Sequence, residues 1–92
     1  MKPIRIALVE DDSEIRQTTS LILKTETGFE LTGVYENGKQ FLDALEKNRP
    51  DVVLMDIQMP QMNGIETVQK AAELYPEIQF LMCTVFEDHD SI

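Results

Sequence analysis

The alternation of short apolar runs with segments of helical spacing constrains the fold of this chain more than any other feature. Four runs have the β-rich character of strands: Ile4 to Val9, Leu31 to Tyr35, Val52 to Met55 and Phe80 to Cys83. The third run is continuously apolar, which is typical of a strand buried on both faces. Such alternation predicts a parallel sheet with helices on both faces, and right-handed crossovers leave few arrangements of it.

The segments between the apolar runs carry helix start and stop signals. Asp12 or Ser13 can cap the first helix, and Gly28 follows it as a stop signal. Asn37-Gly38 is interpreted as a turn before a short second helix. The apolar face of the third helix is predicted from residues at helical spacing: Ile65, Val68, Ala72 and Tyr75. Residues 87–92 resemble the first turn of a fourth helix.

Length and composition indicate one small domain, which we expect to occupy residues 1–92. No apolar run is long enough to span a bilayer, and the amino terminus has no signal-peptide pattern. The single cysteine, Cys83, is interpreted as a buried reduced thiol, and together these features predict a cytoplasmic protein. The net charge of -9 argues against nucleic-acid contacts by these residues.

Three of the predicted strands end in oxygen-bearing side chains. The first is followed by Glu10 and Asp11, the third by Asp56 and the fourth by Thr84. Ligands bind at the carboxyl ends of strands in open parallel sheets, so these groups share one pocket if the three strands are neighbours. Clustered carboxylates repel one another, and Mg²⁺ (or Mn²⁺) prefers such oxygen ligands. One carboxylate is then a candidate nucleophile towards phosphorus, with Thr84 as a hydrogen-bond donor.

Simpler interpretations exist for each of these residues taken alone. The acidic run after the first strand can be a helix-capping loop, and Thr84 can bond to backbone. Arg16 is most simply a charge on the helix surface, and His89 a surface residue. Asp56 is harder to explain in this way, because a charge at the end of a buried strand is costly unless it is paired or bound to a metal.

The motifs resemble those of bacterial response-regulator receiver domains in two-component systems. Val9-Glu10-Asp11-Asp12, followed by Ile15-Arg16, is similar to the acidic-pair motif of that family. The stretch from Asp51 to Pro60, followed by Met62-Asn63-Gly64, is similar to its phosphorylation-site motif, and Met82-Cys83-Thr84 to its hydroxyl-bearing strand. The resemblance implies a flavodoxin-like, doubly wound parallel sheet with strand order 2-1-3-4, continuing to a fifth strand.

The same resemblance implies a role for each matched residue. Asp56 would be the phosphoacceptor, and Asp11 and Asp56 would bind Mg²⁺ directly. The backbone carbonyl of Gln58 would be a further metal ligand, and Glu10 would act through a metal-bound water. Thr84 would bind the phosphoryl group and move as a switch. The implied phosphoryl donor is a sensor histidine kinase or a phosphotransfer protein, and the implied output is transcription through a DNA-binding domain outside these residues.

The chain departs from the family pattern after Thr84. Receivers continue through a fourth helix, a fifth strand with a phosphate-pairing lysine, and a fifth helix, whereas no Lys or Arg follows Lys70 here. We therefore expect an incomplete receiver that ends after strand four and the start of helix four. A homodimer, formed by swapping or by edge pairing, is one arrangement that would cover the exposed strand.

Two alternative functions share parts of this pattern. A phosphatase of the haloacid dehalogenase type also uses an Asp nucleophile after a strand, but it typically needs a second Asp where this chain has Gln58. A receiver-like interaction module without phosphorylation is favoured by the missing lysine and disfavoured by the intact acids. The prediction is a receiver that is not an enzyme towards other substrates and catalyses only its own phosphorylation and dephosphorylation.

Overall fold

The computed structural model describes residues 2–57 and 64–83, which form a four-stranded parallel sheet flanked by three helices. The strands are β1 Ile4–Val9, β2 Phe29–Tyr35, β3 Val52–Asp56 and β4 Gln79–Cys83. The helices are α1 Ser13–Thr25, α2 Gly38–Leu45 and α3 Gly64–Leu74. The sheet order is β2-β1-β3-β4, with every pairing parallel, which confirms the predicted α/β fold and strand order. The predicted start of a fourth helix lies outside the described residues.

One face of the sheet carries the main hydrophobic core. Strand residues alternate between the two faces, and those on this face are almost completely buried beneath α2 and α3. The core comprises Ala7, Val9, Phe41, Leu45, Val53, Met55, Ala71 and Ile78. Phe41 is its centre and makes edge-to-face contacts with Tyr35 and Phe80 at centroid distances of 5.8 and 6.3 Å. On the opposite face, Ile6 and Leu8 are buried on the side of α1.

The ends of the first two helices are capped by short polar side chains. The Asp12 carboxylate accepts a hydrogen bond from the Ile15 amide at 3.0 Å, as the sequence predicts for α1. Asn37 makes the equivalent bond with the Gln40 amide at 2.9 Å. The interpretation of Asn37-Gly38 as a turn is therefore wrong, because Asn37 is the cap of α2 and Gly38 its first residue.

The predicted buried face of α3 is displaced from the observed one. Ile65 is 53% exposed and Ala72 is exposed, whereas Thr67 and Ala71 are completely buried. Thr67 is buried because its hydroxyl lies against Gly38, where α2 and α3 approach so closely that a Cβ on Gly38 would overlap it. Val68 and Tyr75 do pack against the core, so the predicted face is correct at these two residues and wrong at Ile65 and Ala72.

Arg5 organises the amino-terminal edge of the sheet, which is the edge where the four strands begin. The backbone amide of Arg5 donates to Asp51 Oδ2 at 2.9 Å, and the Asp51 amide donates to the Arg5 carbonyl at 2.8 Å. The Arg5 guanidinium donates to the Arg49 carbonyl at 2.8 Å and to Asn48 Oδ1 at 3.0 Å. It also lies 3.7 Å from Glu30 Oε2. These contacts join β1 and β2 to the segment that precedes β3.

Arg49 makes a second set of contacts at the same edge. Its guanidinium lies 4.5 Å from the centroid of the Tyr75 ring, and its Nη1 lies 3.7 Å from Glu77 Oε1. Both partners are located between α3 and β4. The amino-terminal edge is thus held by contacts between opposite charges and between a cation and an aromatic ring.

Candidate metal centre

The carboxyl edge of the sheet, where the strands end, brings three acidic side chains together. Glu10 follows directly after β1, and Asp56 is the last residue of β3. The parallel register pairs Val9 with Met55, so the residue after each lies at the same level of the sheet. Together with Asp11, these residues offer carboxylate oxygens that all lie within 4.8 Å of one another. The predicted convergence of Glu10, Asp11 and Asp56 is confirmed.

The loop after β1 is held by hydrogen bonds from both neighbouring elements. The Glu10 amide donates to the Tyr35 carbonyl at the end of β2, at 3.0 Å. The Asp12 amide donates to Glu10 Oε2 at 3.2 Å, while the Asp12 side chain caps α1. Glu10 is therefore positioned partly by the sheet and partly by the start of the helix.

Two of the three carboxylates are buried. Glu10 is 5% exposed and Asp56 is 7% exposed, while Asp11 is exposed. Burial raises the pKa of Glu10 to about 7, and hydrogen bonding to Asp56 and the charge of Asp56 add to the increase. The bond from the Asp12 amide opposes this rise in pKa, because it stabilises the charged carboxylate. The net result is a site where negative charge is costly.

An apolar cavity of about 140 Å³ lies beside these carboxylates on the α1 side of the sheet. Its walls include Leu8, Leu54 and Ile15, with Glu10 and Asp56 among the lining residues. Apolar walls stabilise charge poorly, which agrees with the direction of the Glu10 pKa shift.

The donor set fits a hard divalent cation. All three side chains offer oxygen, and Mg²⁺ and Mn²⁺ prefer oxygen ligands to nitrogen or sulfur. Burial, and to a smaller extent the charge of Asp56, raise the pKa of Glu10, and a cation in contact with these oxygens would offset both effects. The residues present are therefore suited to hold Mg²⁺, with Glu10, Asp11 and Asp56 as its side-chain ligands, either directly or through water.

Other predicted site residues lie outside the described part of the chain. These are Gln58 and Thr84; His89, which the sequence predicts to be a surface residue, also lies outside that part. The backbone of β3 and β4 pairs Asp56 with Cys83, the residue that immediately precedes Thr84 in the sequence. The assignments of Gln58 as a carbonyl ligand and of Thr84 as a phosphoryl-binding hydroxyl stay predictions.

Arg16 has a different environment from the one that the sequence suggests. Its side chain is only 18% exposed, and Nη1 donates to the carbonyls of Glu10 at 3.0 Å and of Asp11 at 3.3 Å. Nη2 lies 3.7 Å from Glu36 Oε1. The interpretation of Arg16 as a simple helix-surface charge is wrong. Its place near the amino-terminal end of α1 was an available signal, because the helix dipole disfavours a cation there.

Gly64 belongs to the motif that resembles the phosphorylation site, but its contact with the end of β3 was not predicted. A Cβ at this first residue of α3 would overlap the backbone carbonyl oxygen of Asp56, and the Gly64 amide donates to the Ile57 carbonyl at 3.0 Å. The absence of a side chain lets α3 begin directly against the end of β3. Only glycine permits this close approach without a backbone shift.

Comparisons with known proteins agree with this architecture. The sequence profile of the response regulator receiver domain family matches residues 6–92. The chain is 33% identical over 89 residues to the transcriptional regulatory protein DegU of Brevibacillus brevis, covering 97% of this chain and 38% of DegU. It is 31% identical over 80 residues to the chemotaxis protein CheY of Thermotoga maritima, covering 87% of this chain and 66% of CheY.

A similar solved structure is the response regulator domain of Thermotoga maritima CheB. It superimposes with a TM-score of 0.85 and 25% sequence identity, over 97% of this chain and 66% of that one. The chain thus spans about two fifths of DegU and about two thirds of CheY and of the CheB response regulator domain. Within the residues that the structure describes, no helix has the length and apolar character to cross a membrane.

Proposed function

The chain belongs to the family of response regulator receiver domains of two-component systems, and we propose that it accepts a phosphoryl group on Asp56 in a reaction that requires Mg²⁺. The observation that carries this proposal is the convergence of Glu10, Asp11 and Asp56 at the carboxyl edge, with oxygens within 4.8 Å of one another. Asp56 is the member of the set that terminates a buried strand, which fixes its position most firmly.

In the proposed reaction, a carboxylate oxygen of Asp56 attacks the phosphorus atom of the donor. A bond forms between this oxygen and phosphorus, the bond from phosphorus to the donor breaks, and the donor leaves with the electron pair. Bound Mg²⁺ would supply positive charge to the phosphoryl oxygens during the transfer. Asp11 would hold the cation next to Asp56, and Glu10 would do so through a metal-bound water. In the same proposal, Gln58 would add its backbone carbonyl, and Thr84 would donate a hydrogen bond to the phosphoryl group.

The proposed partners follow from the same chemistry. The phosphoryl donor is a sensor histidine kinase or a phosphotransfer protein, and the receiver acts in the cytoplasm. It catalyses its own phosphorylation and dephosphorylation and is not an enzyme towards other substrates. DegU is named a transcriptional regulatory protein, which supports transcription as the output of the protein that contains this receiver.

The test is phosphorylation of the intact protein by acetyl phosphate or phosphoramidate in the presence of Mg²⁺. We expect a mass increase of one phosphoryl group, lost on treatment with base and prevented by a chelator. Asp56→Asn should abolish the increase, whereas Asp51→Asn, at the amino-terminal edge just before β3, should keep it.

Two results would contradict the proposal. A base-labile phosphate that persists in Asp56→Asn would show that the acceptor is another residue. A wild-type protein that neither gains phosphate nor binds the beryllofluoride mimic with Mg²⁺ would instead favour an interaction module that does not use phosphorylation.

A further inference from the structure

We propose that Arg16 is a positioning residue for the metal centre, which holds the Glu10–Asp11 segment in the orientation that directs its carboxylates towards Asp56. This inference rests on the proposed function of that centre. The Nη1 atom of Arg16 donates to two consecutive carbonyls, that of Glu10 at 3.0 Å and that of Asp11 at 3.3 Å. A single cationic nitrogen therefore spans the two residues that supply two of the three carboxylates.

Fixing these carbonyls also fixes the direction in which the Asp11 side chain leaves the backbone. Each peptide unit is planar, so the orientation of the Glu10 and Asp11 carbonyls determines the backbone on both sides of the Asp11 Cα. The Glu10 amide is already bonded to the Tyr35 carbonyl. Asp11 is exposed, so packing does little to orient it. The guanidinium therefore supplies a constraint on Asp11 that the surrounding core does not provide.

The contact with Glu36 is the weaker part of this arrangement. The Nη2 to Oε1 distance is 3.7 Å, and the Glu36 side chain is 63% exposed, so water screens the pair. The hydrogen bonds to the carbonyls are shorter and come from a charged donor on a largely buried side chain. We therefore expect Arg16 to act through the two carbonyls, and Glu36→Gln to have little effect on the site.

The charge of Arg16 and its positioning role predict opposite changes in metal affinity. If Arg16 acted only as a nearby positive charge, its removal would strengthen binding of a cation by the acidic cluster. If it positions the carboxylates, its removal weakens binding, because changes in groups that orient metal ligands typically cost about tenfold or more in affinity. The sign of the change therefore distinguishes a positioning role from a purely electrostatic one.

The experiment measures Mn²⁺ affinity of the intact protein by electron paramagnetic resonance of the free ion. We expect Arg16→Gln to weaken binding by about tenfold and Arg16→Lys, which keeps the charge and one donor, to weaken it less. Arg5→Gln is the matched control, because Arg5 also donates to a backbone carbonyl, that of Arg49 at 2.8 Å, but at the opposite edge of the sheet. It should lose stability and keep the wild-type affinity.

Unchanged or tighter Mn²⁺ binding by folded Arg16→Gln would overturn the inference while leaving the proposed function intact. A wild-type protein that does not bind Mn²⁺ would overturn both. If Arg16→Gln does not fold, Arg16→Lys decides: an affinity equal to that of Arg5→Lys contradicts the positioning role, and a weaker one supports it.

Discussion

The two edges of the sheet use their charged residues in opposite ways. At the amino-terminal edge, Arg5 and Arg49 each lie 3.7 Å from a carboxylate, and their other contacts join neighbouring segments. At the carboxyl edge, Glu10 and Asp56 are buried beside Asp11. The nearby guanidinium of Arg16 is bonded to backbone carbonyls of that loop.

The amino-terminal edge therefore stabilises the fold, whereas the carboxyl edge is arranged to bind a ligand. Paired charges at an exposed edge lower the free energy of the folded state slightly and need no further partner. Acidic side chains gathered in a buried site raise the free energy of the folded state when they are charged. The raised pKa of Glu10 reflects this unfavourable contribution. The carboxyl edge is therefore the place where binding of a cation yields the largest gain in free energy.

The first prediction, which affects both stability and metal binding, concerns the close contact between the start of α3 and the end of β3. Gly64→Ala places a Cβ against the Asp56 carbonyl oxygen, so the end of β3 must shift. We expect a loss of about 2–3 kcal/mol in the free energy of unfolding, measured by urea denaturation, and weaker Mg²⁺ binding. Gly38→Ala is the control, because its Cβ would overlap the Thr67 side chain; it should lose stability and keep Mg²⁺ affinity. Equal Mg²⁺ affinity in both variants would show that Gly64 does not support the site.

The second prediction concerns pH. The pKa of Glu10 is raised from an ordinary value of 4.5 to about 7 in the folded protein. Between these values the folded state holds a proton that the unfolded state has lost, so the free energy of unfolding falls as the pH rises. Without divalent cations, this fall amounts to up to about 3 kcal/mol between pH 4.5 and 7. Urea denaturation across this range measures it.

Glu10→Gln supplies the control for the pH prediction. It removes the titrating group, so this component of the pH dependence should disappear, and the metal-free protein should be more stable than wild type at pH 8. Mg²⁺ should restore stability to wild type at pH 8 and do much less for the variant, because cation and proton compete for the same carboxylate. A wild-type profile that rises between pH 4.5 and 7 and matches that of Glu10→Gln would contradict the assignment.

The smallest predicted effect tests the amino-terminal edge. Arg49→Met removes the contact with Tyr75 at 4.5 Å and the exposed pair with Glu77, and should cost about 0.5–1 kcal/mol. The loss should be the same with and without Mg²⁺ in thermal or urea denaturation. If Mg²⁺ changed the loss markedly, the two edges would be coupled and the proposed division between them would fail.

Most of the fold was predictable because the apolar runs are short and well separated. The four strands lie where these runs predict, with β2 beginning at Phe29 two residues earlier than expected and β3 extending to Asp56. The buried face of α3 was only partly predictable from periodicity, which identified Val68 and Tyr75 but not Thr67. Thr67 is polar, and it is buried only because Gly38 on another helix leaves room for it. Such a contact depends on two elements distant in sequence.

The acidic site was predictable because strand order and strand ends together determine where Glu10, Asp11 and Asp56 meet. Arg16 and Gly64 lie in the quoted motifs, but their contacts were not predicted, because each acts on backbone atoms of the site. Arg16 donates hydrogen bonds to backbone carbonyls of the site. Gly64 approaches the Asp56 carbonyl closely because it has no Cβ. Backbone groups are the same at every position of a sequence, so their partners emerge only when the loop geometry is known.

The parallel pairing of β1 with β3 also bears on the kinetics of folding. Glu10 and Asp56 meet only after this pairing has formed across the whole of α1, β2 and α2, which makes it a non-local step. Before a cation binds, repulsion between the carboxylates opposes the final approach of the two strand ends. A ligand that binds only after β1 and β3 have paired stabilises mainly the native state, and it therefore lengthens the lifetime of that state. Divalent cations should therefore slow the unfolding of this domain much more than they accelerate its folding.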